Sequence, residues 1–184
     1  MGRNRNGQQS SGKTEWETPP ALVAAVAADL GLQYGFELDP AARADKVKAQ
    51  FYFGPDQEEE LLRDGLAISW FGTVFLNPPY GRGIGKWAAK AHEEVLAGRC
   101  ELVAALLPNN SASRWWHRHV MDCTEMWMLD RRVRFVGEAN SAPFDNVIVV
   151  WRAHQLGRRY LRGFGWKDVR VETEAAAAGV AAGD

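Results

Sequence analysis

Cysteine is scarce in this chain: Cys100 and Cys123 are the only two in 184 residues. They are isolated, show no metal-ligand spacing, and read as buried thiols rather than a disulfide. Long apolar runs are missing too. No stretch approaches the ~20 residues that span a bilayer, and the polar N-terminus lacks the apolar centre of a signal peptide. A cytosolic protein is the expectation. Neither sign of charge prevails, since 22 Lys and Arg face 23 Asp and Glu for a net charge of −1. Bulk charge therefore announces no polyanion binder. His117 and His119 are two apart, a spacing that does not share a helical face, so they read as surface groups rather than a metal pair. The acidic run 56–60 reads as a solvated loop. There is no internal repeat.

What is present begins at residues 73–76, Thr-Val-Phe-Leu, an apolar run that reads as a strand. It ends in Asn77-Pro78-Pro79-Tyr80 and continues as Gly81-Arg82-Gly83. The prolines have fixed φ and no N–H, which leaves the Pro78 carbonyl free to point outward. The side-chain oxygen of Asn77 is a second acceptor. Two acceptors at one strand tip can take both hydrogens of an exocyclic amine and aim its lone pair at an electrophile. Tyr80 can stack on the ring that carries the amine. The plainer alternative is an ordinary Pro-Pro turn.

The length suits one domain with a substantial core. Residues 1–13 read as a disordered basic arm, 14–155 as the folded domain and 156–184 as a C-terminal extension, partly disordered. Thr18 reads as a helix cap, with Pro19 and Pro20 in the first turn of a helix over 21–30 and Gly31 closing it. Strands are expected at 34–38, 51–53, 73–76, 102–107, 126–129 and 147–151, with helices at 41–49 and 86–96 and a short one ending near 120. On the second helix, Trp87, Ala91 and Val95 share one face. The last two strands flank a connection at 131–144 that has no room for a helix. The pattern describes an α/β fold, a mostly parallel sheet ending in an antiparallel hairpin. Ligands in such sheets bind at the carboxyl ends of strands, where Asp39 and Asn77 both fall. Trp16, Trp70 and Trp87 lie near these motifs. Trp115-Trp116 reads as core more than as a groove lining.

Three motifs occur in order: Glu17-Thr18-Pro19-Pro20, Leu38-Asp39-Pro40-Ala41 and Asn77-Pro78-Pro79-Tyr80. Around them stand Asp64-Gly65-Leu66 with Trp70, Gly81-Arg82, Leu106-Leu107-Pro108, and Arg134-Phe135 with Ser141-Ala142-Pro143-Phe144. Over roughly residues 16–151 this set resembles the S-adenosylmethionine-dependent DNA amino-methyltransferases, above all the small phage-type DNA N6-adenine methyltransferases (the phage Dam family). The resemblance implies a seven-stranded, Rossmann-like class I methyltransferase sheet with S-adenosylmethionine at the strand ends. It implies Thr18 at the methionine end of the cofactor, Asp39 with Pro40 and Ala41 at its amino acid or ribose, and Asp64 at its adenine. Asn77, Pro78, Pro79 and Tyr80 would hold the target amine. The family's glycine-rich loop after the first strand is absent here, which leaves open whether Asp39 is the first-strand acid or the ribose acid of a second. Self-modification of phage DNA against host restriction is typical of the resembled family.

No separate recognition domain fits, so DNA contact is expected from loops, with Arg82 and Lys86 beside the target and Arg131, Arg132 and Arg134 in the long connection. A base within a duplex cannot reach such a site, so the target is flipped out or single-stranded. Glutamine in a protein, or cytosine N4, offers the same planar amine, and a non-catalytic relative is a further alternative.

Overall fold

The computed structural model describes residues 15–153, 155 and 160–166. The expected N-terminal arm and the end of the expected C-terminal extension lie outside them.

Helix α1, Pro20–Asp29, is an alanine-rich segment that buries Leu22, Val23, Val26 and Ala27. Thr18 does not cap it. Pro19 occupies the cap position and makes no side-chain cap bond. Prolines already hold the φ that a helix start needs, and the Pro19 carbonyl accepts from Leu22 at 3.0 Å. The other end is as expected: Gly31 has φ 75°, and the Leu32 amide reaches back to the Ala27 carbonyl at 2.9 Å. That pairing closes a helix through a left-handed glycine.

Strand β1 is only Leu38–Asp39, shorter than the expected 34–38, because Gly35 turns the chain at φ 75°. The expected helix over 41–49 is absent, and one 3-10 turn, Ala44–Lys46, stands there instead. Its backbone donors are taken elsewhere. The Asp39 carboxylate accepts from Ala41 and Lys48, Asp56 accepts from Ala44, and the Phe53 carbonyl accepts from Ala42. Side-chain and long-range acceptors of this kind compete directly with helix formation.

Strand β2, Phe51–Tyr52, pairs parallel with β1, and β3, Gly72–Leu76, pairs parallel with β1 on its other side. Helix α2, Ile84–Leu96, turns Ile84, Ala88, Ala91 and Val95 inward. Strand β4, Cys100–Pro108, runs parallel to β3. Residues 102–107 of β4 are all buried, as a continuous apolar run in a two-face-covered strand requires. Trp116 is core, whereas Trp115 is half-buried against α2. Cys100 and Cys123 are both buried, and no disulfide joins them.

Strands β5, Glu125–Leu129, and β6, Asn146–Arg152, form the expected antiparallel pair. Strand β6 also pairs antiparallel with β4. A seventh strand, β7, Tyr160–Phe164, adds to β5 in parallel, giving one sheet of order β2-β1-β3-β4-β6-β5-β7. The expected domain end at 155 is thus too early. Residues 160–164 carry a weak apolar pattern, but Phe164 packs on Trp127 at 4.9 Å and Arg162 lies over the same indole at 3.8 Å. A strand whose buried face is one aromatic and one stacked cation leaves little hydrophobic signal.

Candidate active site

At the carboxyl ends of β1 and β3 lies a cavity of about 380 Å³. Thr18, Asp39, Pro40, Ala41, Asp64, Asn77, Pro78 and Pro79 all line it. Residues scattered over sixty positions of sequence are thereby brought into one space.

Asn77 leaves the tip of β3 with its two amide atoms in different situations. Its Nδ2 donates to the carbonyl of Trp16. A carbonyl only accepts, so the nitrogen must face it and the orientation of the amide follows. Its Oδ1 is buried and has no hydrogen-bond partner among the described residues. Nothing among the described residues bonds the Pro78 carbonyl either. A buried, unsatisfied acceptor costs about 1–3 kcal/mol, so it persists where a ligand completes it. Thr18, 1% exposed, has a second buried oxygen, Oγ1, without a partner among the described residues.

The segment before α1 acts as a strap. The Trp16 ring lies 5.2 Å from Phe135 and 5.5 Å from Phe144. The Glu17 carbonyl accepts from Val136 at 2.9 Å, and its carboxylate pairs with Lys48 Nζ at 3.1 Å. Trp16 therefore presents its carbonyl to Asn77 while bound to the 131–144 connection and to the loop after β1. Lys48 gave no sequence signal, because its partner is 31 residues away.

Asp39 closes β1. Its carboxylate is 5% exposed and accepts from the backbone of Ala41 and Lys48, both at 3.3 Å. Burial outweighs those bonds and the nearby Lys48 charge, and pushes the carboxyl up to about 7. The loop after it has no glycine of its own. Two glycines from elsewhere let it pack: a Cβ at Gly65 would lie 1.9 Å from the Pro40 carbonyl oxygen, and one at Gly54 would lie 1.8 Å from that of Ala42. Gly65 follows Asp64, whose carboxylate accepts from Leu66 at 2.9 Å. The Gly65 carbonyl is capped by the indole N–H of Trp70 at 2.6 Å, and Trp70 stacks on the cavity-lining Trp87.

Tyr80 stands apart from this wall. Its ring is 8% exposed and packs against Phe135 and Phe144 at 6.2 and 5.6 Å. Its hydroxyl donates to the Leu106 carbonyl and accepts from Asn146 Nδ2, each at 3.1 Å. Burial raises the phenol well above its ordinary pKa, despite the Asn146 bond.

The expected DNA-contacting cations also lie outside the cavity. Arg82 and Lys86 are exposed. Arg131 pairs with Asp130 at 2.9 Å, Arg132 pairs with Asp145 at 2.8 Å, and Arg134 donates to the Glu138 carbonyl at 3.0 Å. Among the described residues no cluster of His, Cys, Asp and Glu could hold a metal, and no helix is long and apolar enough to cross a membrane.

A seven-stranded α/β sheet with a carboxylate closing β1, an acceptor pair closing β3 and a cavity between them defines a Rossmann-like methyltransferase. In keeping with that class, the fold is shared with a crystal structure of a candidate RNA methyltransferase, PH1948, from Pyrococcus horikoshii. The match covers 80% of this chain and 90% of that one, with TM-score 0.55 and 13% identity. The family model described as DNA N-6-adenine-methyltransferase (Dam) matches residues 6–168. The chain belongs to this family and is an adenine-specific DNA methyltransferase. No curated protein sequence matches it at a significant level.

Proposed function

We propose that the cavity binds S-adenosylmethionine and that Asn77 and Pro78 hold the N6 amine of a flipped or single-stranded adenine beside it. The observation that carries this reading is the unpartnered Oδ1 of Asn77 at the tip of β3. The donor set suits the cofactor. Asp39 and Glu17 are carboxylates for an ammonium or ribose hydroxyls, Thr18 Oγ1 is a free polar atom for its methionine end, and Asp64 and Trp87 flank room for a purine. The volume falls within the ~300–1,000 Å³ of small-molecule sites. Bound there, the cofactor supplies an electrophilic methyl group.

The chain's own part is positioning. Adenine's amino lone pair is delocalised into the ring. Asn77 Oδ1 and the Pro78 carbonyl accept its two hydrogens and draw the nitrogen toward a pyramidal, nucleophilic state. Trp16 holds the Asn77 amide so that its oxygen, not its nitrogen, meets the substrate. Pro79 continues the rigid bend. Tyr80 ties that bend to β4 and β6 through its hydroxyl. Its ring is covered by Phe135 and Phe144, so stacking of a base on Tyr80 requires the 131–144 connection to move aside. Pro40 and Ala41 form the cavity floor beside Asp39. A DNA substrate places the enzyme in the compartment that holds DNA, which for a phage-encoded form is the host cytoplasm.

Asn77→Ala tests the reading. Turnover on adenine-containing DNA should fall roughly a hundredfold or more, with cofactor affinity by calorimetry nearly unchanged. Full turnover in that variant sinks the amine-clamp role.

A further inference from the structure

Two segments of this chain carry cations and no acids. Residues 81–92 and 109–121 contain no Asp or Glu, and the fold sets them side by side. Both leave the carboxyl edge of the sheet next to Asn77, one directly after Tyr80 and the other directly after β4. The Tyr80 hydroxyl bonded to Leu106 joins their roots. Further out they touch without an intervening side chain, since a Cβ at Gly85 would lie 2.8 Å from the Cβ of Trp115. Arg82, Lys86, Arg114 and Arg118 are all exposed, and none has an acceptor among the described residues. Arg118 lies on the π-helical turn Trp116–Val120 and Arg114 two residues before that turn. The cofactor cavity opens on the β1 side of β3, and this patch lies on the β4 side, so the amine clamp stands between them.

We propose that Arg114 and Arg118, continuing the line from Arg82 and Lys86, contact the phosphates of double-stranded DNA flanking the target adenine. Guanidinium groups free of carboxylates can pair bidentately with phosphate. Arg131 and Arg132 must first give up Asp130 and Asp145 to do the same. The patch thus carries the sequence-independent part of DNA affinity. The proposal rests on Asn77 marking where the target base sits.

The test is the salt dependence of binding to a mixed-sequence DNA duplex, measured by fluorescence anisotropy. Each lost phosphate contact removes about 0.9 from the slope of log K against log salt. The double variant Arg114→Gln/Arg118→Gln should flatten the slope by about 1.8, so a fourfold rise in salt costs it roughly tenfold less affinity than the parent. Arg131→Gln/Arg132→Gln should keep the parental slope. A thermal melt certifies the fold, and Arg118→Gln alone, expected to remove about 0.9, serves if the double variant does not fold. A parental slope in the Arg114/Arg118 variant overturns the proposal. So does flattening in the Arg131/Arg132 variant instead, or a change seen only with single-stranded DNA. Asn77→Ala run in parallel separates the two readings. Loss of turnover with an unflattened slope in the Arg114/Arg118 variant rejects the patch and keeps the clamp, whereas full turnover rejects the clamp itself.

Discussion

The Asn77 amide depends on a carbonyl 61 positions away in sequence. Asn77→Asp keeps an acceptor for the amine but sets a second oxygen against the Trp16 carbonyl. That oxygen can bond the carbonyl only when it carries a proton. Turnover of Asn77→Asp at saturating cofactor should therefore rise as pH falls, a limb the parent lacks; a parallel pH profile for the two proteins would refute the Trp16 role. Asp39 gives a second pH signature. Its folded pKa of about 7 lies above its unfolded value, so the folded chain holds the proton more tightly. The stability this contributes is intact below about pH 4 and is lost as pH rises through about 7, about 4 kcal/mol at most. Asp39→Asn should flatten the unfolding midpoint over that range. In the parent, affinity for the cationic cofactor should rise through the same window, because the ionised carboxylate is the form that attracts it. Calorimetry on either side of neutrality checks the sign.

The loop after β1 does with borrowed glycines what a glycine-rich loop does with its own. Gly65 and Gly54 lie against the carbonyls of Pro40 and Ala42, where any Cβ would collide with backbone rather than with a flexible side-chain end. Gly65→Ala should displace the cavity floor and destabilise the fold by about 1–3 kcal/mol. Cofactor affinity should drop at least tenfold, while turnover at saturating cofactor falls much less. Equal losses in both would mean that the floor also sets the position of the reacting atoms. The element most misread from sequence lies here as well. Residues 41–49 have helix-forming composition, but Asp39, Asp56 and Phe53 capture the backbone donors that a helix would use.

Across the whole molecule, the cavity lies on the β1 side of the sheet and β7 closes the opposite edge. Phe164, 6% exposed, anchors β7 on Trp127. Phe164→Ala should cost about 3–5 kcal/mol and lower the unfolding midpoint by roughly 6–20 °C. Turnover at low temperature should stay parental, since none of the described residues lining the cavity lies on β5 or β7. A thermal melt and an assay on one sample decide both halves.

Much of this was readable in the chain before folding. The apolar run of β4, the periodic face of α2, the Gly31 helix end and the Asn-Pro-Pro-Tyr bend follow from local sterics and burial, which a sequence displays directly. So does the meeting of Asp39 and Asn77, because strand ends in an α/β sheet converge on one edge; Thr18 and Asp64 were expected beside them only from the family resemblance. Tertiary structure alone decided which way the Asn77 amide points, that Tyr80 is tied into the core, that Arg131 and Arg132 are already neutralised, and that β7 joins the sheet. Arg131 apart, whose partner Asp130 is its neighbour in sequence, each of these is set by a residue far along the chain, through one hydrogen bond, one ion pair or one aromatic contact. Such pairings leave no periodicity behind, so only the folded chain reveals them.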